Sequence, residues 1–185
     1  MRIFNFIFII FITLTSSIKA ELNTNVIKEL KKGNKLIFVR HAYAPGGGDP
    51  ENFNIKECAT QRNLGESGKQ QAKRIGDFFT ENQIPFEQVY SSEWCRCKDT
   101  ASIAFKKFKT KRFLNSFFGH EFSKNKNTQM KKLKKFVKNS QNSKNIIFVT
   151  HYVVILEVLS YAAGSGEIVI SDKQFNKIDS IQINY

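Results

Sequence analysis

The chain has 185 residues, which corresponds to one domain of ordinary size that can bury a core. Its 29 Lys and Arg residues outweigh 16 Asp and Glu, giving a formal net charge of +13. Such a surplus can attract nucleic acid or anionic lipid. In the run KKLKKFVK, however, the apolar residues Met130, Leu133 and Val137 recur at helical spacing, so the lysines form the solvated face of an amphipathic helix. We therefore do not expect a nucleic-acid-binding or membrane-binding module.

The first 20 residues, MRIFNFIFIIFITLTSSIKA, have the layout of a secretory signal peptide. Arg2 precedes an apolar stretch at 3–14, and small polar residues precede Ala20. The stretch is shorter than the roughly 20 residues that span a bilayer, and an uncleaved amphipathic anchor is the alternative. We predict cleavage after Ala20, export to the periplasm and a single mature domain over 21–185, with no stable membrane insertion.

Hydrophobic patterns predict alternating strands and helices along the mature chain. In order, they indicate a helix ending at Gly33, a strand at 36–39, a long Gly- and Pro-rich loop at 44–65, a helix at 66–79, a strand at 86–92, a helix at 93–108, the Lys-rich helix, a strand at 145–150, an apolar helix at 152–163, and strands at 166–171 and 180–185. This alternation implies an α/β three-layer sandwich, with a largely parallel central sheet and helices on both faces. The last two strands are expected to pair as a hairpin.

Charged side chains follow three of these strands where each strand ends. The first strand ends in Arg40 and His41, and the third ends in His151. The second leads through two serines to Arg96, in the first turn of a helix. Ligands bind open α/β sheets at the carboxyl ends of the strands. Since core packing would place apolar residues there, we expect these four side chains to surround one ligand.

This group of side chains suits phosphoryl transfer. Arginine can hold a phosphate dianion bidentately, and the helix starts add backbone N–H groups. A neutral imidazole can attack phosphorus to form a phosphohistidine, and neighbouring arginines disfavour its protonated form. A second histidine can stabilise charge on the transferring oxygens. No cluster in the sequence has metal-ligand spacing, so we expect neither a metal nor another cofactor.

The motifs FVRHA, SSEWCRCKDTA and FVTHYVVI, in this order and spacing, resemble the histidine phosphatase superfamily and its phosphoglycerate-mutase-like fold. The segments RHAYAPGGGDP and CATQRNLGESGKQQAKRIG are similar to a bacterial branch of exported members. The resemblance implies that His41 is the nucleophile, that Arg40 and Arg96 bind the phosphoryl group, and that His151 completes the pocket. It also implies that Arg62 reaches the phosphate or its substituent, for which a salt bridge at the start of the following helix is the alternative.

The proton donor for the leaving group is where the chain departs from the family. Mutase-type members carry Ser and Asn soon after the Arg-His pair, where this chain has AYAPGGG. Many family phosphatases have Glu after the second Arg helix, where this chain reads FLNSFFGHE, and the acid-phosphatase branch has Asp where Tyr152 stands. The candidate donors are Asp49 and Glu121, of which we favour Asp49. A solvated loop carboxylate is the alternative for both.

The three cysteines predict one disulfide in an exported chain. Cys95 and Cys97 lie about 200° apart around a helix, so they face different surroundings. Cys97 falls on the apolar stripe and is predicted to be a buried thiol. Cys95 faces the cleft side, where the loop that carries Cys58 passes. We predict a Cys58–Cys95 disulfide that pins this loop beside the phosphate pocket.

These features together predict an exported, metal-independent phosphatase that acts through a covalent phosphohistidine. The expected substrate is a phosphorylated small molecule, a surface-glycan phosphate or a phosphoprotein. The alternative is a phosphate-binding protein of the same fold that has lost catalysis. The unassigned donor favours this alternative, whereas the two histidines argue against it because anion binding needs only the arginines.

Overall fold

A computed structural model describes residues 25–141 and 143–185. The predicted signal peptide at 1–20 lies outside these described residues. Within them, no helix has the length and apolar character needed to cross a membrane.

A mixed sheet forms the centre of the fold. Its strands in the described part of the chain are β1 (Leu36–Arg40), β2 (Phe86–Ser91), β3 (Lys109–Thr110), β4 (Asn145–Thr150), β5 (Ile168–Ser171) and β6 (Lys177–Ile181), in the spatial order β3-β2-β4-β1-β5-β6. The pairs among β1 to β4 are parallel, and β5 and β6 are antiparallel to their neighbours. The predicted hairpin is confirmed, although β6 begins and ends earlier in the sequence than predicted.

Helices cover both faces of this sheet. They are α1 (residues 25–31), α2 (Glu66–Glu81), α3 (Cys95–Phe105), α4 (His120–Ser123), α5 (Lys126–Lys138) and α6 (Tyr152–Leu159), with short 3₁₀ turns at Cys58–Thr60 and Arg112–Leu114. Helices α1, α2 and α3 bury apolar residues in one core cluster, and α5 and α6 do so in another. The predicted α/β architecture with helices on both faces is confirmed.

The apolar sequence of β1 follows from its burial on both sides. Successive side chains of a strand point to opposite faces, so Ile37 and Val39 enter the first core cluster and Leu36 and Phe38 the second. All four are fully buried. Burial of each such side chain contributes about 1.5–3 kcal/mol, which fixes β1 at the centre of the sheet.

Two helices end earlier than the sequence predicts. Lys106 adopts a positive φ of 65° after α3, so Phe108 lies beyond the helix and packs on the first core cluster from a loop. Ser160 has a φ of 51° and ends α6. Leu156 of α6 is 39% exposed, so this apolar helix is buried on one side only.

The carboxyl ends of β1, β2 and β4 lie side by side at one edge of the sheet. The hydrogen bonding between strands continues one residue past their ends, because the His41 N–H donates to the Thr150 carbonyl at 2.9 Å. The Ser92 N–H likewise donates to the Val149 carbonyl at 2.9 Å. The residues that follow the three strands are therefore held next to one another.

Candidate active site

A cleft with a cavity volume of about 510 Å³ opens at this edge of the sheet. Its lining includes all five side chains that the sequence predicts for phosphate chemistry: Arg40, His41, Arg62, Arg96 and His151. The imidazoles of His41 and His151 are almost completely buried, and so is the Arg96 guanidinium. The strand-end placement therefore brings the predicted residues together.

The backbone carbonyl of the next residue sets the tautomer of His41. Its Nδ1 lies 2.8 Å from the Ala42 carbonyl oxygen. Because a carbonyl only accepts hydrogen bonds, Nδ1 carries the proton and Nε2 keeps its lone pair in the neutral ring. Burial lowers the pKa of His41 well below 6.5, and the charge of Arg96 lowers it further. The unprotonated Nε2 faces Arg96, whose Nε–H donates to it at 3.2 Å.

The second histidine stands against the first. The rings of His41 and His151 are 5.5 Å apart in an edge-to-face arrangement. Burial, followed by the charge of Arg96, lowers the pKa of His151 well below 6.5. Both rings are therefore neutral near neutral pH, and any positive charge on them has to form during the reaction.

Ser92 and Asn115 support His151, a role that the sequence does not predict for either residue. The Ser92 hydroxyl oxygen lies 2.8 Å from His151 Nε2 and 3.1 Å from Asn115 Oδ1. The Asn115 amide in turn donates to Glu93 Oε2 at 2.7 Å. Asn115 stands in the stretch where many phosphatases of the superfamily that the sequence resembles carry Glu. This position is the feature of the sequence that could have identified Asn115 as a site residue.

Cys97 lies behind the same ring. Its Sγ is 3.5 Å from His151 Nε2, and burial raises the pKa of the thiol to about 12. The side chain is a free, buried cysteine, as the helical stripe indicates. A neutral thiol at this distance packs against the imidazole without adding charge to it.

Asp49 forms a bidentate ion pair with Arg96. Its Oδ1 is 2.7 Å from Arg96 Nη1, and its Oδ2 is 3.1 Å from Nη2. The indole N–H of Trp94 and the backbone N–H of Arg62 also donate to this carboxylate, at 3.2 and 3.0 Å. Burial raises the pKa of Asp49, but the hydrogen bond and charge of Arg96 outweigh it and hold the pKa below 3.8. A carboxylate stabilised in this way is a poor acid, which argues against the predicted donor role.

Glu121 has different surroundings. It lies on α4 at the mouth of the cleft, and it is exposed. No ion pair of Glu121 is present among residues 25–141 and 143–185. Of the two candidate donors, Glu121 is the carboxylate that remains free to approach a leaving group.

Arg62 holds the glycine-rich loop in place. Its Nη1 donates to the Ala44 carbonyl, and its Nε donates to the Gly48 carbonyl at 2.9 Å. Within the described residues its side chain takes part in no salt bridge, so the alternative suggested by the sequence is not seen. The guanidinium lines the cleft while it fixes both ends of the loop at 44–48.

Arg40 presents an unpaired donor. Its Nη1 donates to the Ala163 carbonyl at 2.8 Å, and its guanidinium lies over the Tyr152 ring at 5.6 Å. Its Nε is buried and has no hydrogen-bond partner in the part of the chain that the structure describes. Buried donors are rarely left unsatisfied, so this N–H is suited to an acceptor supplied by a ligand.

A disulfide anchors the long loop beside the site. Cys58 and Cys95, the predicted pair, are joined with a Cα–Cα distance of 5.6 Å. The side chain of Gln61 adds a second tie, since its Oε1 accepts the Cys95 N–H at 2.9 Å. The loop that carries Asp49 is thereby fastened to the start of α3, one residue from Arg96.

Loss of this disulfide is expected to destabilise the fold. The bond closes a segment with a sequence separation of 37 residues, and removing it typically costs about 2–4 kcal/mol. Reductant should lower the urea midpoint of the wild type by a matching amount. The doubly substituted protein Cys58→Ser, Cys95→Ser is the control, because its midpoint should already be low and should not respond to reductant. An equal response of both proteins would contradict the bond.

Mild acid is also expected to destabilise the protein. The folded-state pKa of each buried histidine lies well below 6.5, the usual value. Between the two pKa values the unfolded chain binds more protons, so the free energy of unfolding falls as pH drops below about 6.5. The urea midpoint should decrease between about pH 7.5 and 5.5, and it should decrease less in His151→Asn. A midpoint that rises in acid would contradict neutral buried imidazoles.

Across the described residues, His, Cys, Asp and Glu side chains do not form a group of three or more suited to a metal ion. The chemical groups at hand are therefore a neutral imidazole with a defined lone pair, a second imidazole, and three guanidinium groups. This arrangement can bind a phosphoryl group and attack it.

Comparisons with known proteins concern the fold and residues 36–115. Residues 36–115 match the family model of the histidine phosphatase superfamily (branch 1). No curated protein matches the chain. Three similar solved structures are TTHB049 and a phosphoglycerate mutase, both from Thermus thermophilus, and a protein from Agrobacterium tumefaciens provisionally named phosphohistidine phosphatase SixA.

Each of the three has a TM-score of 0.58 to this chain. TTHB049 is 15% identical, with 82% of this chain and 97% of that chain covered. The mutase is 14% identical (81% and 99% covered), and the Agrobacterium protein is 13% identical (81% and 98% covered). Likeness at this level of identity shows the fold. Residues 36–115 therefore match the histidine phosphatase superfamily, and the fold of the described chain is phosphoglycerate-mutase-like.

Proposed function

We propose that the protein is an exported, metal-independent phosphatase that hydrolyses a phosphomonoester or phosphoramidate through a covalent phosphohistidine on His41. The observation that carries the proposal is the state of His41. Its Nδ1 proton is fixed on the Ala42 carbonyl, and its Nε2 lone pair faces Arg96 at the floor of the cleft.

In the first step His41 Nε2 attacks phosphorus, so an N–P bond forms and the bond to the leaving group breaks. The leaving group departs with the electron pair and takes a proton, for which the exposed carboxyl of Glu121 in the cleft lining, when protonated, is the donor. The Arg96 Nε–H that donates to Nε2 in the resting site is released to a phosphoryl oxygen. The unpaired Nε–H of Arg40 supplies a further donor for that group.

In the second step water attacks the phosphohistidine. The N–P bond breaks, its electron pair returns to His41 Nε2, and inorganic phosphate leaves. The proton lost by water passes to the base that served as donor in the first step. His151, supported by Ser92, lies beside the transferring group and stabilises its charge.

Export and substrate class complete the proposal. The signal-peptide layout of 1–20 indicates export, and the Cys58–Cys95 disulfide supports it because disulfides persist in oxidising compartments. The substrates proposed are phosphorylated small molecules, surface-glycan phosphates or phosphoproteins, and no nucleic-acid partner is proposed. The likeness to a protein provisionally named phosphohistidine phosphatase makes a phosphoramidate one of the substrates to assay.

A catalytically weak phosphate-binding protein is the second candidate. The ion pair of Asp49 with Arg96 favours it, since it makes this carboxylate a poor acid for a leaving group. The defined lone pair of His41 argues against it, because a binding site does not need a nucleophile.

The experiment that separates the two candidates measures phosphate release by the purified exported protein from a panel of phosphomonoesters and phosphohistidine. Turnover that persists in excess chelator supports the phosphatase. Saturable binding of inorganic phosphate without release from any substrate on the panel supports the binding protein.

A further inference from the structure

The mouth of the cleft has an apolar wall. Phe118 is 66% exposed, the highest value among the large hydrophobic residues that the structure describes as exposed. Its neighbour Phe117 is buried in the second core cluster, so only the Phe118 ring of this pair is exposed. Single exposed apolar side chains are common on protein surfaces. This one lines the cleft together with Phe122 and Val153.

The charged residues that line the cleft also restrict which substrates can bind. Among the described residues no lysine lines it, in a chain whose formal net charge is +13. The lining contains three arginines and the two carboxylates Asp49 and Glu121, which leaves a formal charge of +1. Arg96 is already paired with Asp49. A phosphomonoester dianion exceeds this positive charge by itself, so a second anionic group would find no further cation in the described lining and would approach Glu121.

We propose that the substrate carries one phosphoryl group on an uncharged, apolar remainder, which packs against Phe118, Phe122 and Val153. This inference rests on the proposed phosphatase function, and it adds the class of substrate. Small polyanions, such as phosphorylated carboxylic acids and bisphosphates, are excluded by the charge of the cleft. Aryl, benzyl and longer alkyl phosphates fit both the apolar wall and the charge.

Phosphonates test this inference without requiring turnover, because their C–P bond is not hydrolysed. Dissociation constants of benzylphosphonate, methylphosphonate, phosphonoacetate and 2-aminoethylphosphonate are measured by calorimetry on the exported protein. Benzylphosphonate should bind about 10- to 100-fold more tightly than methylphosphonate, since one aromatic ring leaves water. Phosphonoacetate should bind more weakly than methylphosphonate, because its carboxylate finds no cation in the described lining beyond the three arginines that face the phosphonate dianion.

Phe118→Ala should remove most of the benzyl preference while methylphosphonate affinity stays unchanged. Its matched control is Ile178→Ala on β6, an exposed apolar residue outside the cleft, which should bind all four ligands as the wild type does. The inference is overturned if benzylphosphonate does not bind. It is overturned as well if phosphonoacetate or 2-aminoethylphosphonate binds at least as tightly as benzylphosphonate. It is also overturned if Phe118→Ala keeps the full benzyl preference.

Failure of the proposed function has a different signature. In that case the protein binds benzylphosphonate selectively but releases no phosphate from phenyl phosphate, so the apolar subsite stands and the phosphatase does not. Conversely, turnover of phosphorylated carboxylic acids without a benzyl preference overturns the apolar subsite and leaves the phosphatase in place.

Discussion

Replacement of His41 by Asn is expected to lower kcat by about 10⁴-fold or more, because it removes the only proposed nucleophile. Asn keeps a polar group of similar size near the Ala42 carbonyl, so the fold should persist. During turnover, quenching in alkaline denaturant should trap acid-labile, base-stable phosphate on the wild type and none on His41→Asn. Turnover of the variant at the wild-type rate would refute the phosphohistidine mechanism.

His120 provides the matched control for this substitution. It is an exposed histidine at the start of α4, and it does not line the cleft. His120→Asn should therefore keep both the rate and the trapped phosphate. Loss of activity in both variants would indicate that the loss does not depend on which histidine is replaced. The measured rate would then not be evidence for the His41 lone pair as the nucleophile.

The convergence of the site residues could be predicted from sequence because it depends on strand ends. An apolar run predicts a strand, and the polar residue at which the run stops predicts where the strand ends. Arg40 and His151 are two such residues. Once the sheet is known to be largely parallel, the ends of β1, β2 and β4 have to meet at one edge. The phase of α3 likewise separated Cys95 from Cys97, because helical geometry is regular over a few residues.

The contacts of Asp49 could not be predicted in this way. Asp49 and Arg96 are 47 residues apart, and the loop between the end of β1 and α2 has no hydrophobic period from which a conformation follows. The same holds for Asn115, which reaches Ser92 from a segment after the short strand β3. The sequence predicts that a carboxylate lies near the nucleophile. Whether this carboxylate faces a leaving group or a guanidinium depends on how the loop packs.

The ends of α3 and α6 were missed for a related reason. Lys106 and Ser160 end these helices in left-handed conformations that glycine usually adopts. Neither residue type signals a helix end, so the apolar pattern beyond each residue predicts that the helix continues. The packing of Phe108 from a loop shows that an apolar residue can join a core without belonging to the periodic element before it.

Asp49→Asn is expected to lower kcat by roughly 10²-fold, a typical loss when a catalytic group is misplaced. The loss should be equal for aryl and alkyl phosphates, because the ion pair with Asp49 orients Arg96, and Arg96 serves the phosphoryl group whatever the leaving group is. Inhibition by inorganic phosphate should become stronger in the variant, since the cleft loses a negative charge and Arg96 gains free donors. A matched control is Asp77→Asn, which breaks the exposed Asp77–Lys73 pair on α2 and should change neither quantity.

A general acid gives the opposite pattern. If Asp49 donated the proton, Asp49→Asn would slow alkyl phosphates far more than aryl phosphates, because only the poorer leaving group depends on the donor. Glu121→Gln tests the other carboxylate by the same comparison, and the exposed position of Glu121 predicts that the selective loss occurs there. A selective loss in Asp49→Asn, with Glu121→Gln unchanged, would restore Asp49 as the donor. It would also require the Asp49–Arg96 pair to open when substrate binds.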